Sequence, residues 1–571
     1  MEFTKRYLST GVYSVNAAAL LLGAAGLFSR LLGIFRDRLL ASEFGAGREL
    51  DLYYTAFQVP DFMVALFILG AGSAAILPIF QEYLLRDKEE ARRLISELTS
   101  FFIGGAVLVA LAAFVLAPFL IRLIAPGFSE EEKSTTGLLT RIMLVSPIFF
   151  GLSGIFSSVV QSFQRFLAYA VAPLLYNIGI IVGIVVFVPI LGIKGLAFGV
   201  ILGSLMHFGI MFLTVKEFGF APILDQWRHR FRVSAGVKRI IKLSFPRVLS
   251  LSFSQITSMV LIALGSTLAV GSIAVFQLAQ NLYFLPIGIF GVSYSVAVFP
   301  RLSRFYLARD AESFFSEFFL GIRSVLFWIL PSVTLFLVLR AHIVRVALGA
   351  GEFSWEDTRL TAAVLGVFIF SMFAHSLISF LIKGFYALEN TRVPLFINIG
   401  ASAVSIILAL IFTKILSTPS AFTNFITVSA RVSDMPDPRG LGLALGFSCG
   451  TLINFFLLCW GLKRLASERF GEYKKFPPAS VLKIIFSALL AGGATYLARV
   501  SFAETLPLIS FGMVLAQGAI AGIAGLAVYF GALFLMKEEG VYTLWGVLCR
   551  RLLSVGALPE QWDGDAGKPD T

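Results

Sequence analysis

A hydrophobic heptapeptide of this chain returns almost intact late in its sequence. Pro173-Leu174-Leu175-Tyr176-Asn177-Ile178-Gly179 recurs as Pro394-Leu395-Phe396-Ile397-Asn398-Ile399-Gly400, an offset of 221 residues between positions 173 and 394. Ser73-Ala74-Ala75-Ile76-Leu77-Pro78 recurs as Ser295-Val296-Ala297-Val298-Phe299-Pro300 at an offset of 222. Gly195-Leu196-Ala197-Phe198-Gly199 recurs as Gly442-Leu443-Ala444-Leu445-Gly446, 247 residues on. The added length falls in the polar, proline-bearing stretch Ser417–Arg439. A unit copied in tandem folds twice in the same way, so the chain is expected to consist of two like halves.

The repeated unit is a membrane unit. Of 571 residues, 57% are hydrophobic, and mean hydropathy is +0.86, beyond the range of soluble domains. Apolar runs of the ~20 residues that cross a bilayer recur from end to end. About fourteen spans are expected, near 13–43, 52–82, 97–123, 138–162, 169–189, 195–215, 243–268, 272–300, 319–345, 359–387, 394–416, 441–462, 481–500 and 510–536. The repeats pair span two with eight, five with eleven and six with twelve. The fold class is thus an all-α polytopic membrane protein of two six-helix lobes in parallel repeat plus two C-terminal helices. The expected division is 1–220 for the first lobe, 221–242 for a cytoplasmic linker, 243–465 for the second lobe, 481–536 for the two extra spans and 537–571 for a tail. Val541–Leu553 in that tail has the pattern of an amphipathic surface helix. The N-terminus lacks a cleavable signal pattern, so the first helix is expected to remain.

Charge sets the orientation. Arg86, Lys88, Arg92 and Arg93 follow span two; Arg228, Arg230, Arg232, Lys238, Arg239 and Lys242 follow span six. Arg301, Arg304 and Arg309 follow span eight, and Lys463, Arg464, Lys474 and Lys475 follow span twelve. All lie on one side in an even-span count, and the opposite loops are poorer in lysine and arginine. The positive-inside rule places both termini in the cytoplasm and Ser417–Arg439 outside. The net charge of +12 then reflects topology and anionic lipid headgroups, not nucleic acid. Cys449, Cys459 and Cys549 sit in or beside apolar helices and imply no disulfide framework.

Charges inside the spans are the candidate functional groups, because an ionised side chain at bilayer depth costs about 2.5–3.5 kcal/mol on insertion scales. Span one carries Arg30, Arg36, Asp37 and Arg38, with Gly23, Gly26 and Gly33 near the Arg30–Asp37 face. Arg38 reads equally well as a snorkelling membrane-edge residue. Asp61 follows Pro60 in span two, and Arg247 follows Pro246 in span seven. His375 and Lys383 in span ten are candidates for coupling or gating. His207 stands where the second half has Asn454. Motifs for zinc peptidases, P-loops, dithiols and serine hydrolases are all missing. The four histidines are scattered, so the sequence implies no enzyme, no cofactor and no metal site.

Ser29-Arg30-Leu31-Leu32-Gly33-Ile34-Phe35-Arg36-Asp37, followed by Phe44-Gly45-Ala46-Gly47 and Asp51, resembles the opening signature of the MurJ/MviN family of lipid II flippases. Phe385-Tyr386-Ala387-Leu388-Glu389-Asn390-Thr391-Arg392-Val393-Pro394 and Pro286-Ile287-Gly288-Ile289-Phe290-Gly291-Val292 are similar to two further motifs of that family. The resemblance covers about residues 10–535. It implies two lobes in a V around a cavity, and two extra helices shaping a lipid groove. It also implies export of a polyprenyl-pyrophosphate-linked peptidoglycan precursor across the bacterial inner membrane. Substrate contact is implied for Arg30, Arg36, Asp37, Asp51, Asp61 and Arg247. Membrane lipids, and the cell-wall synthesis machinery, are the implied partners. The chain departs from the family pattern at Val64, Ala65 and Leu69, where many members carry charges, and at Gln280-Asn281, where many carry Asp-Arg. Either the remaining charges suffice or the substrate is another lipid-linked oligosaccharide or an amphiphilic drug; a scaffold that has lost transport is the rival from another class.

Overall fold

The computed structural model describes residues 15–67, 73–222, 234–435, 437–471, 478–505 and 510–542. All secondary structure among them is helical. In chain order the helices are α1 Val15–Phe44, α2 Arg48–Ala56, α3 Gln58–Phe67, α4 Ser73–Arg86, α5 Lys88–Ile124, α6 Glu130–Ser162, α7 Phe166–Leu191 and α8 Lys194–Glu217. They continue with α9 Ala235–Ser266, α10 Ser272–Leu307, α11 Ala311–Leu348, α12 Trp355–Ala387, α13 Arg392–Ile415, α14 Ala421–Ala430, α15 Gly440–Phe470, α16 Pro478–Ser501 and α17 Phe511–Leu535. Eleven of these are long and apolar enough to cross a membrane.

Helix occupies the described part of every expected span. Arg30, Arg36, Asp37 and Arg38 lie within α1. The expected second span is divided at Phe57 into α2 and α3, with α4 following, because the stretch mixes polar Asp51, Gln58 and Asp61 with Pro60. Helix α9 begins at Ala235, capped by the Ser234 hydroxyl, eight residues before the expected start at 243. The expected outer loop Ser417–Arg439 also differs: ten of its residues form α14, started by the Ser420 cap. Ten residues rise only about 15 Å, too short to span. Arg359 grips Asp434 beyond α14 with two nitrogens and holds that carboxyl below its ordinary range. The amphipathic pattern at Val541–Leu553 lies outside the described residues beyond Tyr542.

The duplication is visible in the packing. In the first half, span one packs on five, two on three and four, three on four, four on six, and five on six; the same six pairings recur between spans seven and twelve. Two helix crossings show why small residues were retained. A Cβ on Gly183 would lie 2.6 Å from the Gly199 Cα, so α7 and α8 touch backbone to backbone. The copied glycines Gly442 and Gly446 of α15 meet Thr413 and Ala409 of α13 in the same manner. Proline supplies the other local feature. Pro189 and Pro286 lack the N–H that a helix needs, and π-helical turns at Gly183–Phe187 and Ile287–Gly291 adjoin them.

Junctions after odd-numbered spans collect at one end of the molecule. There Gly271 meets Ala46, Gly127 meets Ser266, and Gly351 meets Ser42. Junctions after even-numbered spans collect at the other end, where Lys88 lies over Phe220, Arg165 over Phe218, and Arg239 pairs with Glu82. This second end holds the loops rich in lysine and arginine. Helices α16 and α17 pack on each other and chiefly on α11 among the repeated spans.

The glycine crossing makes a measurable demand. Gly199→Ala is expected to lower the midpoint of thermal unfolding in detergent, at a cost of about 1–3 kcal/mol for an overpacked contact. Gly104→Ala, whose Cβ meets nothing within 4 Å, is expected to leave the midpoint where it was.

Candidate functional site

The charges of α1 are answered from both halves of the chain. Arg36 donates through Nε and Nη2 to Asp37 Oδ1 at 3.0 and 2.7 Å, and through Nη1 to Asn177 Oδ1 of α7 at 3.1 Å. The other Asp37 oxygen accepts from Asn281 Nδ2 of α10 at 2.9 Å. A polar thread therefore runs from α7 through α1 to α10. Asn177 also donates to the Pro173 carbonyl at 3.1 Å, which fixes its amide toward α1. Its repeat mate, Asn398, behaves differently: it accepts from Asn454 within the second half at 3.1 Å. His207, the mate of Asn454, bonds Ser153 at 2.7 Å instead, which leaves Asn177 for Arg36.

Arg30 lies one step deeper and is less committed. Its Nη1 donates to the Leu285 carbonyl at 3.3 Å, and its guanidinium lies against Gly288 where a Cβ would stand. Both contacts fall beside the π-helical turn of α10, and no carboxylate pairs with Arg30 among the described residues. Asp61 on α3 is exposed. Asn281 is likewise exposed within the protein. Asp61 makes no side-chain hydrogen bond or ion pair among the described residues, and the side chain of Arg247, though its helix is present, is outside them.

Asp51 has another place. It is 1% exposed, and its two oxygens accept the Gly271 and Ala274 backbone N–H groups at 2.7 and 2.8 Å. It thus caps the N-terminus of α10 across more than two hundred residues of sequence, where the helix dipole favours negative charge. Arg48 stands 3.8 Å from it and pairs with Glu132 at 2.9 Å. Further bonds between the halves cluster at the same end: Gly127 N–H to Ser266 Oγ, Glu352 N–H to the Ser42 carbonyl, and Arg38 to the Val346 and Gly349 carbonyls. This end is latched.

His375 and Lys383 stand apart from the cavity charges. His375 Nδ1 meets the Tyr283 hydroxyl at 3.2 Å, and Tyr283 meets Ser371 at 3.1 Å, tying α10 to α12. Lys383 sits 5.0 Å above the Phe299 ring and 5.8 Å from that of Tyr386. The sequence missed Asn281 as a partner of Asp37, and it missed Asn177, although Asn177 lies in the very motif that repeats.

The opposite face of α1 borders an apolar cavity of about 500 Å³. Leu31, Ile34 and Phe35 of α1, Leu285 of α10, Ile343 of α11 and Leu515 of α17 line it. Leu285 therefore belongs to both surfaces, its carbonyl holding Arg30 and its side chain facing the cavity. The contact of α1 with α10 is the wall between a polar interior and an apolar one.

The family profile described as "Lipid II flippase MurJ" matches residues 40–517. The chain belongs to this family. A probable lipid II flippase MurJ of Rhizobium tropici is 29% identical over 405 residues, covering 69% of this chain and 75% of the relative. The lipid II flippase MurJ of Burkholderia cenocepacia is 24% identical over 527 residues, 90% of this chain and 96% of the relative. A solved lipid II flippase MurJ in an inward closed conformation superposes with TM-score 0.70 at 26% identity, covering 91% of this chain and all of the other. An inward-facing multidrug transporter of the MATE family shares the fold at TM-score 0.58 and 18% identity.

The latch is testable. Hydrogen bonds to a charged group contribute about 1.5–3 kcal/mol each. Asp51→Ala is therefore expected to raise the population open at this end roughly tenfold or more. Maleimide added from that side should label a cysteine placed at Asn281 correspondingly faster than in the parent carrying Asp51.

Proposed function

We infer that the chain is a flippase that moves lipid II, a polyprenyl-pyrophosphate-linked peptidoglycan precursor, from the inner to the outer leaflet of the bacterial inner membrane. The observation that carries this reading is the two-sided α1, with an arginine-bearing interior on one face and an apolar cavity on the other. An amphiphile with an anionic head and a long chain needs both surfaces at once. The head enters the polar interior, while each CH₂ kept in an apolar place retains about 0.8 kcal/mol. Arg30 is the better pyrophosphate ligand, since Asp37 neutralises Arg36; guanidinium donors match phosphate oxygens in pairs. Asp37 and Asp51 act on conformation, and Asp61 lines the interior. Parting α1 from α10 joins the two surfaces and admits the lipid sideways. Release on the far side requires the Asp51 latch to open while contacts form at the other end, which is alternating access.

The two-lobe division at 1–220 and 243–465 belongs to this reading, supported by the six recurring pairings. So does the assignment of residues 481–536 to the lipid groove, supported by Leu515, Gly518 and Ala519 in the cavity wall. The latched end faces outward and both termini face the cytoplasm, as the lysine and arginine loops favour. The cell-wall synthesis machinery is the partner expected to supply and consume such a substrate.

Two outcomes follow. In proteoliposomes carrying fluorescent lipid II, Arg30→Gln is expected to slow flipping at least tenfold with expression retained; full activity would remove Arg30 from the site. A cysteine placed at the exposed Ser429 should react with impermeant maleimide on whole cells, while one at Arg92 should not. The reverse pattern would invert the orientation.

A further inference from the structure

We propose that the outer end of the apolar cavity is a docking site for the pyrophosphate of the lipid after it has crossed, held by Arg38 and Arg345 with its chain in the cavity. This rests on the flippase reading and on its orientation. Arg38 is the one charged residue in the wall of the cavity among the described residues. Its Nη1 donates to the Val346 carbonyl at 2.7 Å and its Nη2 to the Gly349 carbonyl at 3.3 Å, and the guanidinium stacks 4.9 Å over Phe511 of α17. A guanidinium has five N–H donors, so three remain.

Arg345 converges on the same residue. Its Nε lies 2.9 Å from the place a Cβ of Gly349 would take, and its Nη1 donates to the Phe353 carbonyl at 3.1 Å. Gly349 is thus held between two cations, its carbonyl on Arg38 and its open face on Arg345. A side chain at 349 would push Arg345 away. The two guanidinium groups repel one another, and neither forms an ion pair with a carboxylate among the described residues. Glu43 and Glu352 lie nearby in sequence but are exposed and bond to neither.

Two half-buried cations left without an anion call for one. They lie away from the lysine and arginine loops, so the positive-inside bias does not account for them. The site's chemistry is specific in two ways. Two forked guanidinium groups around one glycine match the paired phosphates of a pyrophosphate better than a single phosphodiester. The wall beneath them encloses one apolar cavity, suited to a single chain. On the inner side Arg30 takes the head group; on the outer side Arg38 and Arg345 take it, with the chain in the same cavity throughout. The pair therefore gives the crossed head group a place to go that is outside the polar interior.

Native mass spectrometry of the full-length protein with a synthetic polyprenyl pyrophosphate lacking glycan tests this. One cavity takes one chain, so the parent is expected to bind one lipid. Arg30→Gln removes the inner head-group place and should leave a lipid held by Arg38 and Arg345. Adding Arg38→Gln and Arg345→Gln to Arg30→Gln should weaken that binding at least tenfold. Ala519→Trp, which fills the cavity, should weaken binding in the parent and in Arg30→Gln alike. Equal binding by Arg30→Gln and the triple variant overturns the proposal. So does occupancy of Arg30→Gln by phosphatidylglycerol as readily as by the pyrophosphate, since the arginines then serve bulk lipid. If the parent flips lipid II while Arg30→Gln and the triple variant bind alike, the site fails and the flippase reading stands. If the Arg38-dependent lipid is present in Arg30→Gln but the parent flips no lipid II, the reading fails and the binding site remains.

Discussion

An ion pair inside a membrane protein survives only if polar groups meet it on every side, and Arg36–Asp37 is met from both halves. Asn177 satisfies the cation and Asn281 the anion. Removing either charge would strand the other, at a cost of about 3–5 kcal/mol for a buried pair. That obligation holds α1 between α7 and α10. The rest of the site follows from the position so imposed, because Arg30 then falls on the π-helical turn of α10, and Leu31, Ile34 and Phe35 fall on the apolar cavity.

The two halves are copies that have diverged where function asks for asymmetry. In the second half, Asn398 and Asn454 bond each other and close that lobe on itself. In the first half, the matching Asn177 is released to Arg36, since His207 turns to Ser153. A symmetric pair would have left α1 without a partner for its arginine. Helices α16 and α17 add a second asymmetry by attaching to α11 and lining the apolar cavity beside α1.

The latch has a character suited to repeated opening. It consists of single hydrogen bonds between side chains and backbone at helix ends, with Asp51 on α10, Ser266 on Gly127 and Arg38 on Val346. Each is local, and each can be replaced by water once the end parts. Moving an equilibrium from 1:99 to 99:1 takes about 5.5 kcal/mol, a sum that two or three such bonds supply.

Much of the architecture was legible without coordinates. Repeats, apolar lengths and loop charges are properties of local sequence, and the bilayer converts them directly into spans, since a backbone in lipid has to satisfy its own hydrogen bonds. The charges of α1 were legible for the same reason: ions are expensive there, so their presence signals a site. The division of the second span, the short helix α14 and the early start of α9 were less so, because a proline or a cap competes with apolar length and the balance depends on neighbouring helices. What could not be read was the use of each charge. Asp51 and Asp37 are both acids in one signature, yet one caps a helix 220 residues away and the other balances its neighbour. Arg38 looked like a membrane-edge residue until α11 brought Arg345 beside it. Sequence determined that these groups needed partners; only tertiary packing decided which, because a hydrogen bond is made within about 3 Å and nothing local in the chain specifies what will stand there.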